Sequence, residues 1–109
     1  MKKDHIYVSG PMTGIKNLNI PNFAAATKAL RKAGYKVVNP GEYEGSANKL
    51  TWEDCLRRDL ILICQKCFAV ATLPGWERSK GANLEIYVAQ RLGMRVAPVQ
   101  DFLTVEAVR

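Results

Sequence analysis

The stretch CFAVATLPGWERSKGANLEIYVAQRLGMRVAPV, residues 67–99, decides the fold class. It begins with a nearly continuous apolar run at 67–73, which is typical of a strand buried on both faces of a parallel sheet. The Pro-Gly pair at 74–75 ends that strand, a helix follows to about Leu92, and residues 95–99 form another short strand. Two strands joined by a helix are the unit from which parallel sheets are built.

The same alternation extends towards the N-terminus. The elements predicted there are a strand at 5–10, a helix at 21–33, a strand at 35–38, a loop at 39–49 and a helix capped by Thr51 that runs to about Cys64, with a short terminal helix from about Asp101. Strands that alternate with helices predict an α/β fold, here a Rossmann-like or flavodoxin-like three-layer sandwich with a four- to five-stranded parallel sheet. We expect residues 1–109 to form a single domain.

Composition narrows the classes of function. The 109 residues are 48% hydrophobic and 24% charged, which is enough for one core but leaves little room for a separate substrate domain. The net charge of +6 suits a small anionic substrate, whereas the basic residues are scattered and do not interleave with aromatic residues, so we do not expect a nucleic-acid partner. No run approaches the ~20 apolar residues of a membrane span.

The cysteines and the one histidine give no indication of a metal or cofactor. An odd number of cysteines without an apolar leader predicts a reducing, cytoplasmic location. Cys64 and Cys67 form a CxxC that joins a helix to a strand, the reverse of the thioredoxin order, and His5 is the only histidine. We therefore predict neither a redox centre nor a zinc site.

Parallel sheets bind ligands beyond the carboxyl ends of their strands, here near residues 9–14 and 74–85. Asp59 falls in the apolar stripe of the second long helix together with Trp52, Leu56 and Ile63. Glu85 lies towards the inner face of the third helix. Enzymes that cleave glycosides commonly use a pair of carboxyl groups that face the substrate, as these two are expected to do. The alternatives are that Asp59 pairs with Arg57, Arg58 or a backbone amide, and that Glu85 complements the helix dipole.

Residues 75–81 open the third helix with small residues, a hydroxyl and two cations, as an anion-binding helix N-terminus does. Ser79 fits two roles there, a helix N-cap and a phosphate ligand, which are compatible with each other.

Four segments of the chain have a distinctive combination of residues: IYVSGPMTG at 6–14, LRKAGYKVVNP at 30–40, TWEDCLRRDL at 51–60 and LPGWERSKGANLEIYVAQRLG at 73–93. Together they resemble the nucleoside 2-deoxyribosyltransferase-like superfamily, in particular a small branch common in phages and bacteria. The superfamily contains transferases that move deoxyribose between bases and hydrolases that cleave deoxynucleoside 5′-monophosphates. Both use a glutamate nucleophile that forms a covalent sugar intermediate.

The resemblance implies a role for each candidate residue. Glu85 takes the place of the nucleophile, and Asp59 is the second catalytic acid, which contacts sugar or base near the scissile bond. Tyr7 and Gly10 form the wall after strand one, and Ser79 takes the place of a phosphate-binding serine. Met12 of the loop after strand one and Gly81 of the helix N-terminus complete the expected substrate-binding residues. The resemblance also implies a homodimer or a higher oligomer whose neighbouring subunit closes the site.

The sequence thus predicts an enzyme that cleaves the N-glycosidic bond of a nucleoside or nucleoside 5′-monophosphate by hydrolysis or transfer, without a cofactor. Two alternatives belong to other classes. One is a non-catalytic module that binds or senses a nucleotide, in which Glu85 would be held in an ion pair with Arg78 or Lys80. The other is a nucleic-acid binder, whose affinity would fall steeply with salt.

Overall fold

The computed structural model describes residues 2–43 and 50–103. Within these ranges four strands and four α-helices alternate: β1 His5–Ser9, α1 Ile20–Lys32, β2 Lys36–Val38, α2 Trp52–Lys66, β3 Cys67–Thr72, α3 Lys80–Arg91, β4 Arg95–Pro98 and α4 Val99–Leu103. All strands are parallel, in the order β2-β1-β3-β4. The predicted α/β class and parallel sheet are confirmed. None of the helices in the described ranges is long and apolar enough to span a membrane.

Helices cover both faces of the sheet. On one face Ile6 and Val8 of β1 pack with Phe23 and Leu30 of α1 and with Phe102 of α4. The intervening residues of β1 point to the opposite face, because side chains alternate along a strand. Strand β1 therefore contributes apolar side chains to one layer and a tyrosine and a serine to the other.

The opposite face is covered by α2 and α3. Here Tyr7 packs with Ile63 of α2 and with Ile86 and Ala89 of α3. Each helix buries one stripe of side chains, and the stripe of α3 includes Glu85 as well as these apolar residues. A carboxyl group is thereby carried into the layer between α3 and β1.

In three regions the structure differs from the expectation by more than one residue, whereas the other element boundaries agree with it to within one residue. Helix α2 continues to Lys66, two residues beyond Cys64, because it passes directly into β3, whose first residue, Cys67, also caps the helix. The terminal helix begins at Val99 instead of Asp101. The expected loop at 39–49 contains a short 3₁₀ turn at Pro40–Tyr43, and its remainder at 44–49 lies outside the described residues.

The two cysteines of the CxxC have different surroundings. Cys64 is exposed and Cys67 is buried at the start of β3. Burial raises the pKa of the Cys67 thiol to about 12, so the thiol stays protonated at neutral pH. In the described ranges the structure contains no cluster of three or more His, Cys, Asp or Glu side chains able to hold a metal ion.

Candidate active site

A cavity of about 250 Å³, here called the inner cavity, opens at the carboxyl end of the sheet. All seven residues predicted for the site line it: Tyr7, Gly10, Met12, Asp59, Ser79, Gly81 and Glu85. They come from β1, the loop after it, α2, and the turn and helix after β3, which is where the carboxyl ends of neighbouring parallel strands meet. The structure thus brings the predicted residues together, while their roles in binding and chemistry stay predictions.

A second cavity of about 670 Å³, the outer cavity, adjoins the first. Four residues line both: Thr13, Trp52, Ser79 and Gly81. The two cavities are therefore adjacent, and together they are called the cleft. Among the described residues, the charged groups on the inner cavity are Asp59 and Glu85, whereas those on the outer cavity are Arg78 and Lys80. The cleft is acidic at its base and basic at its mouth.

Glu85 lies at the base of the cleft on α3 and is only 6% exposed. The Tyr7 hydroxyl donates to its Oε2 at 2.9 Å, and the Ser9 hydroxyl donates to its Oε1 at 2.8 Å. Burial and the neighbouring charge of Asp59 raise the pKa of Glu85 to about 8, although the two hydroxyls act in the opposite direction. The carboxyl group is therefore mostly protonated at neutral pH, and two donors are in place for its ionised form.

Tyr7 is a neutral donor in this arrangement. Its side chain is fully buried, and burial together with the charges of Glu85 and Asp59 raises the pKa of its phenol well above the ordinary value. The phenol therefore keeps its proton across the physiological range. It donates a hydrogen bond to Glu85 without adding a competing charge to the cavity.

Asp59, on α2, is 8% exposed and accepts a hydrogen bond from Arg58 Nε at 2.9 Å. Arg58 also stacks on the ring of Tyr43, with 5.1 Å between the guanidinium carbon and the ring centroid. Arg57 pairs with Asp54 instead. The alternative prediction that Asp59 pairs with a neighbouring arginine thus describes part of its environment. Asp59 nevertheless also borders the inner cavity.

Ser79 caps α3, because its hydroxyl accepts the backbone N–H of Ala82 at 3.1 Å. The N-cap role is therefore confirmed, and the role of phosphate ligand stays a prediction. Gly81 follows in the first turn, where an added Cβ would meet nothing closer than Trp52 Cζ2 at 3.9 Å. Packing does not demand a glycine at this position, so its missing side chain leaves space in the cleft.

At position 10, in contrast, packing does require a glycine. A Cβ at this position would lie 2.8 Å from the Cβ of Leu73, closer than real side chains approach. Gly10 therefore lets the loop after β1 cross the end of β3. The glycine shapes the wall of the inner cavity indirectly, by permitting this close approach.

Sequence reasoning is incomplete for two other residues at the site. Ser9, which lies behind Glu85, is not singled out, although its alternation with Tyr7 along β1 indicates the face of the sheet on which it lies. Trp52 was expected on the inward stripe of α2, but it is 47% exposed at the rim of the cleft, because it begins the helix at the open end of the site.

A left-handed turn also borders the cleft. Asn17, Leu18 and Asn19 have positive φ values of 54°, 54° and 60°, which cost roughly 1–2 kcal/mol per non-glycine residue. Asn19 helps to hold the turn by donating to the carbonyl of Pro11 at 2.9 Å. Leu18 thereby reaches the inner cavity. No glycine marks this turn in the sequence, so pattern reasoning had little to detect.

Comparison with protein families shows the family of this chain. The family model described as "Domain of unknown function (DUF4406)" matches residues 4–98. The chain belongs to this family. The matched range of the DUF4406 domain includes the four described strands and all seven predicted site residues. No curated protein matches the chain.

The cleft of this DUF4406 domain contains a carboxyl group suited to acid or nucleophilic chemistry, with two cations on the outer cavity. Glu85 is a carboxyl group that either donates a proton or, when ionised, attacks an electrophilic carbon. Within the described structure two neutral hydroxyls donate to it, its side chain also hydrogen-bonds with that of Asp59, and no ion pair joins it to Arg78 or Lys80. The cations instead line the adjacent outer cavity, where they attract anionic groups.

Proposed function

We propose that this chain cleaves the N-glycosidic bond of a nucleoside or nucleoside 5′-monophosphate, by hydrolysis or by transfer of the sugar to another base. The observation that carries the proposal is the buried Glu85 carboxyl group, which faces a cavity and accepts a hydroxyl hydrogen bond on each oxygen. The resemblance to nucleoside 2-deoxyribosyltransferase-like enzymes supports the same role for Glu85. No cofactor enters this chemistry.

In the proposed mechanism, ionised Glu85 attacks the anomeric carbon of the sugar. The bond from that carbon to the base nitrogen breaks, its electron pair leaves with the base, and the base takes a proton from water. A glycosyl ester of Glu85 remains. Water or the nitrogen of an acceptor base then attacks the same carbon, gives up its proton to the solvent and releases the carboxylate. Asp59 contacts a sugar hydroxyl or the leaving base in this scheme.

The first test is a substrate panel. Purified protein is incubated with nucleosides and their 5′-monophosphates, with and without a free acceptor base, and products are separated by chromatography beside the Glu85→Ala variant. We expect base release or base exchange that disappears in the variant. Nucleotide binding without turnover would contradict the proposal and favour the alternative of a nucleotide-binding module.

The pH dependence is a further prediction. Because the attacking carboxyl must be ionised and its pKa is raised to about 8, kcat/KM should increase with pH. One titrating group predicts an increase of about tenfold between about pH 7 and about pH 9. An adenine or cytosine nucleotide is the appropriate substrate, since neither base ionises in this range. A rate independent of pH across this window would show that Glu85 does not act as the ionised nucleophile.

The basic mouth of the cleft predicts a preference for a 5′-phosphate. We expect the double variant Arg78→Gln/Lys80→Gln to raise KM for a 5′-monophosphate by about tenfold or more, because two cations near an anionic group are removed. KM for the corresponding nucleoside should change little. Equal effects on both substrates would contradict this assignment.

A matched control removes two other charges, Lys32→Gln/Lys66→Gln. These lysines lie in the last turns of α1 and α2, just before or at the amino ends of β2 and β3. They are therefore at the edge of the sheet opposite the cleft. The control should leave both KM values near those of the wild type.

Self-association follows from the resemblance alone and stays a prediction, as does a cytoplasmic location. Sedimentation of the purified protein tests the first. A mass equal to one chain at all concentrations would contradict the expected dimer or higher oligomer.

A further inference from the structure

Ser9 occupies a fixed position behind Glu85. It is the last residue of β1, its side chain is fully buried, and its carbonyl accepts the backbone N–H of Leu73 at 2.9 Å. Its hydroxyl donates to Glu85 Oε1 at 2.8 Å. Hydrogen bonding to β3 holds this end of the strand in place, so the donor is set by the sheet and not by a mobile loop.

The two donors to Glu85 differ in their relation to the cavity. Tyr7, which bonds to Oε2, lines the inner cavity, whereas Ser9, although it lies within the described part of the chain, does not. The Oε1 atom is thus hydrogen-bonded to a side chain outside the cavity lining, at the end of β1. The Oε2 atom is hydrogen-bonded to a side chain that lines the cavity.

We propose that Ser9 is a positioning residue, which holds Glu85 Oε1 against the sheet so that Oε2 is the oxygen presented to the sugar. The assignment of Oε2 as the attacking atom rests on the proposed function. Ser9 touches no substrate in this arrangement and acts only through Glu85. A neutral hydroxyl suits the task, because it orients and stabilises the carboxylate, whereas a cation would hold it in an ion pair.

The link between Ser9 and Glu85 is measured without any substrate. The carboxyl carbon of Glu85 is titrated by ¹³C NMR in the unliganded protein, with Glu85→Gln to assign the signal. In Ser9→Ala the pKa of Glu85 should rise by about 1, because one of two donors to the ionised form is lost. Ser9→Cys keeps a side chain of similar shape but donates weakly, so its Glu85 pKa should also rise. This second variant separates hydrogen bonding from packing.

The matched control is Thr27→Val. Thr27 is another buried hydroxyl, which donates to the carbonyl of Phe23 at 2.7 Å within α1, on the other face of the sheet. Its loss should leave the Glu85 titration unchanged. In base-release assays at a pH above the Glu85 pKa of each variant, Ser9→Ala should still show a kcat reduced by about tenfold or more, with KM nearly constant. A positioning role predicts this split, whereas a merely structural role does not.

The outcomes distinguish this inference from the proposed function. A Glu85 pKa that is the same in Ser9→Ala and the wild type overturns the role of Ser9, even if the wild type cleaves nucleotides. A Ser9→Ala enzyme that has the wild-type kcat at a pH above the Glu85 pKa of both proteins also overturns the role of Ser9. A wild type that cleaves nothing, combined with a raised Glu85 pKa in Ser9→Ala, overturns the proposed function and supports the contact between Ser9 and Glu85.

Discussion

Replacing Glu85 by glutamine should lower kcat for base release by on the order of 10⁴-fold, the scale of loss seen when an enzyme loses a residue of its catalytic unit. The amide is close in size to the carboxyl group, and its oxygen still accepts from one of the two hydroxyls of Tyr7 and Ser9, while its NH2 group donates to the other. It carries no negative charge and does not form a stable ester with the sugar. Single-turnover measurements with excess protein, quenched in acid, would quantify the remaining rate of base release.

Glu53→Gln is the matched control for this loss. Glu53 is an exposed acid in the first turn of α2, outside both cavities. The same chemical change at this position should leave kcat within about twofold of the wild type, as expected for a surface substitution. A Glu85→Gln enzyme that retains the wild-type rate would remove Glu85 from the mechanism.

The second large effect is on stability. The pKa of Glu85 is about 8 in the folded protein against the ordinary value of 4.5, so the folded state binds more protons than the unfolded state between these pH values. The free energy of unfolding should therefore fall as pH rises from 4.5 towards 8 and level off above 8. The loss attributable to this group is on the order of a few kcal/mol.

Glu85→Gln should abolish this dependence, because glutamine does not ionise. Urea unfolding of both proteins across the pH range measures the difference, which should be small at acid pH and grow in favour of the variant towards alkaline pH. Asp4 and Glu42 have pKa values lowered by Lys36 and Arg31, so their contributions are lost only as pH falls through the acid range. Parallel stability curves for the two proteins would contradict a raised Glu85 pKa.

Much of the fold is predictable because its signals are local. The apolar run that begins at Cys67 and the break at Pro74 define β3, and the helical spacing of Ala82, Ile86 and Ala89 defines the buried stripe of α3. The end of α2 is less predictable. No glycine or proline separates it from β3, and the transition at Cys67 depends on where the strand joins the sheet.

The candidate site, too, is predictable from the sequence only in part. Helical periodicity placed Glu85 and Asp59 on inward faces, and the topology of parallel sheets indicated the end at which they meet. The hydrogen bond from Ser9 to Glu85 Oε1 could be identified only from the structure, because a serine in a strand carries no signal of the helix residue that it contacts. The left-handed turn that ends at Asn19 also depends on a tertiary contact, its hydrogen bond to Pro11.

Covalent trapping tests the central claim most directly. The wild type and Glu85→Gln are quenched in acid during turnover of a deoxynucleoside 5′-monophosphate or its nucleoside, and intact mass and peptide mass spectra are recorded. Our account predicts a wild-type adduct with the mass of the substrate's sugar portion, on the peptide that contains Glu85, and no adduct in the variant. Release of base by Glu85→Gln at the wild-type rate, or an adduct on another residue, would contradict it.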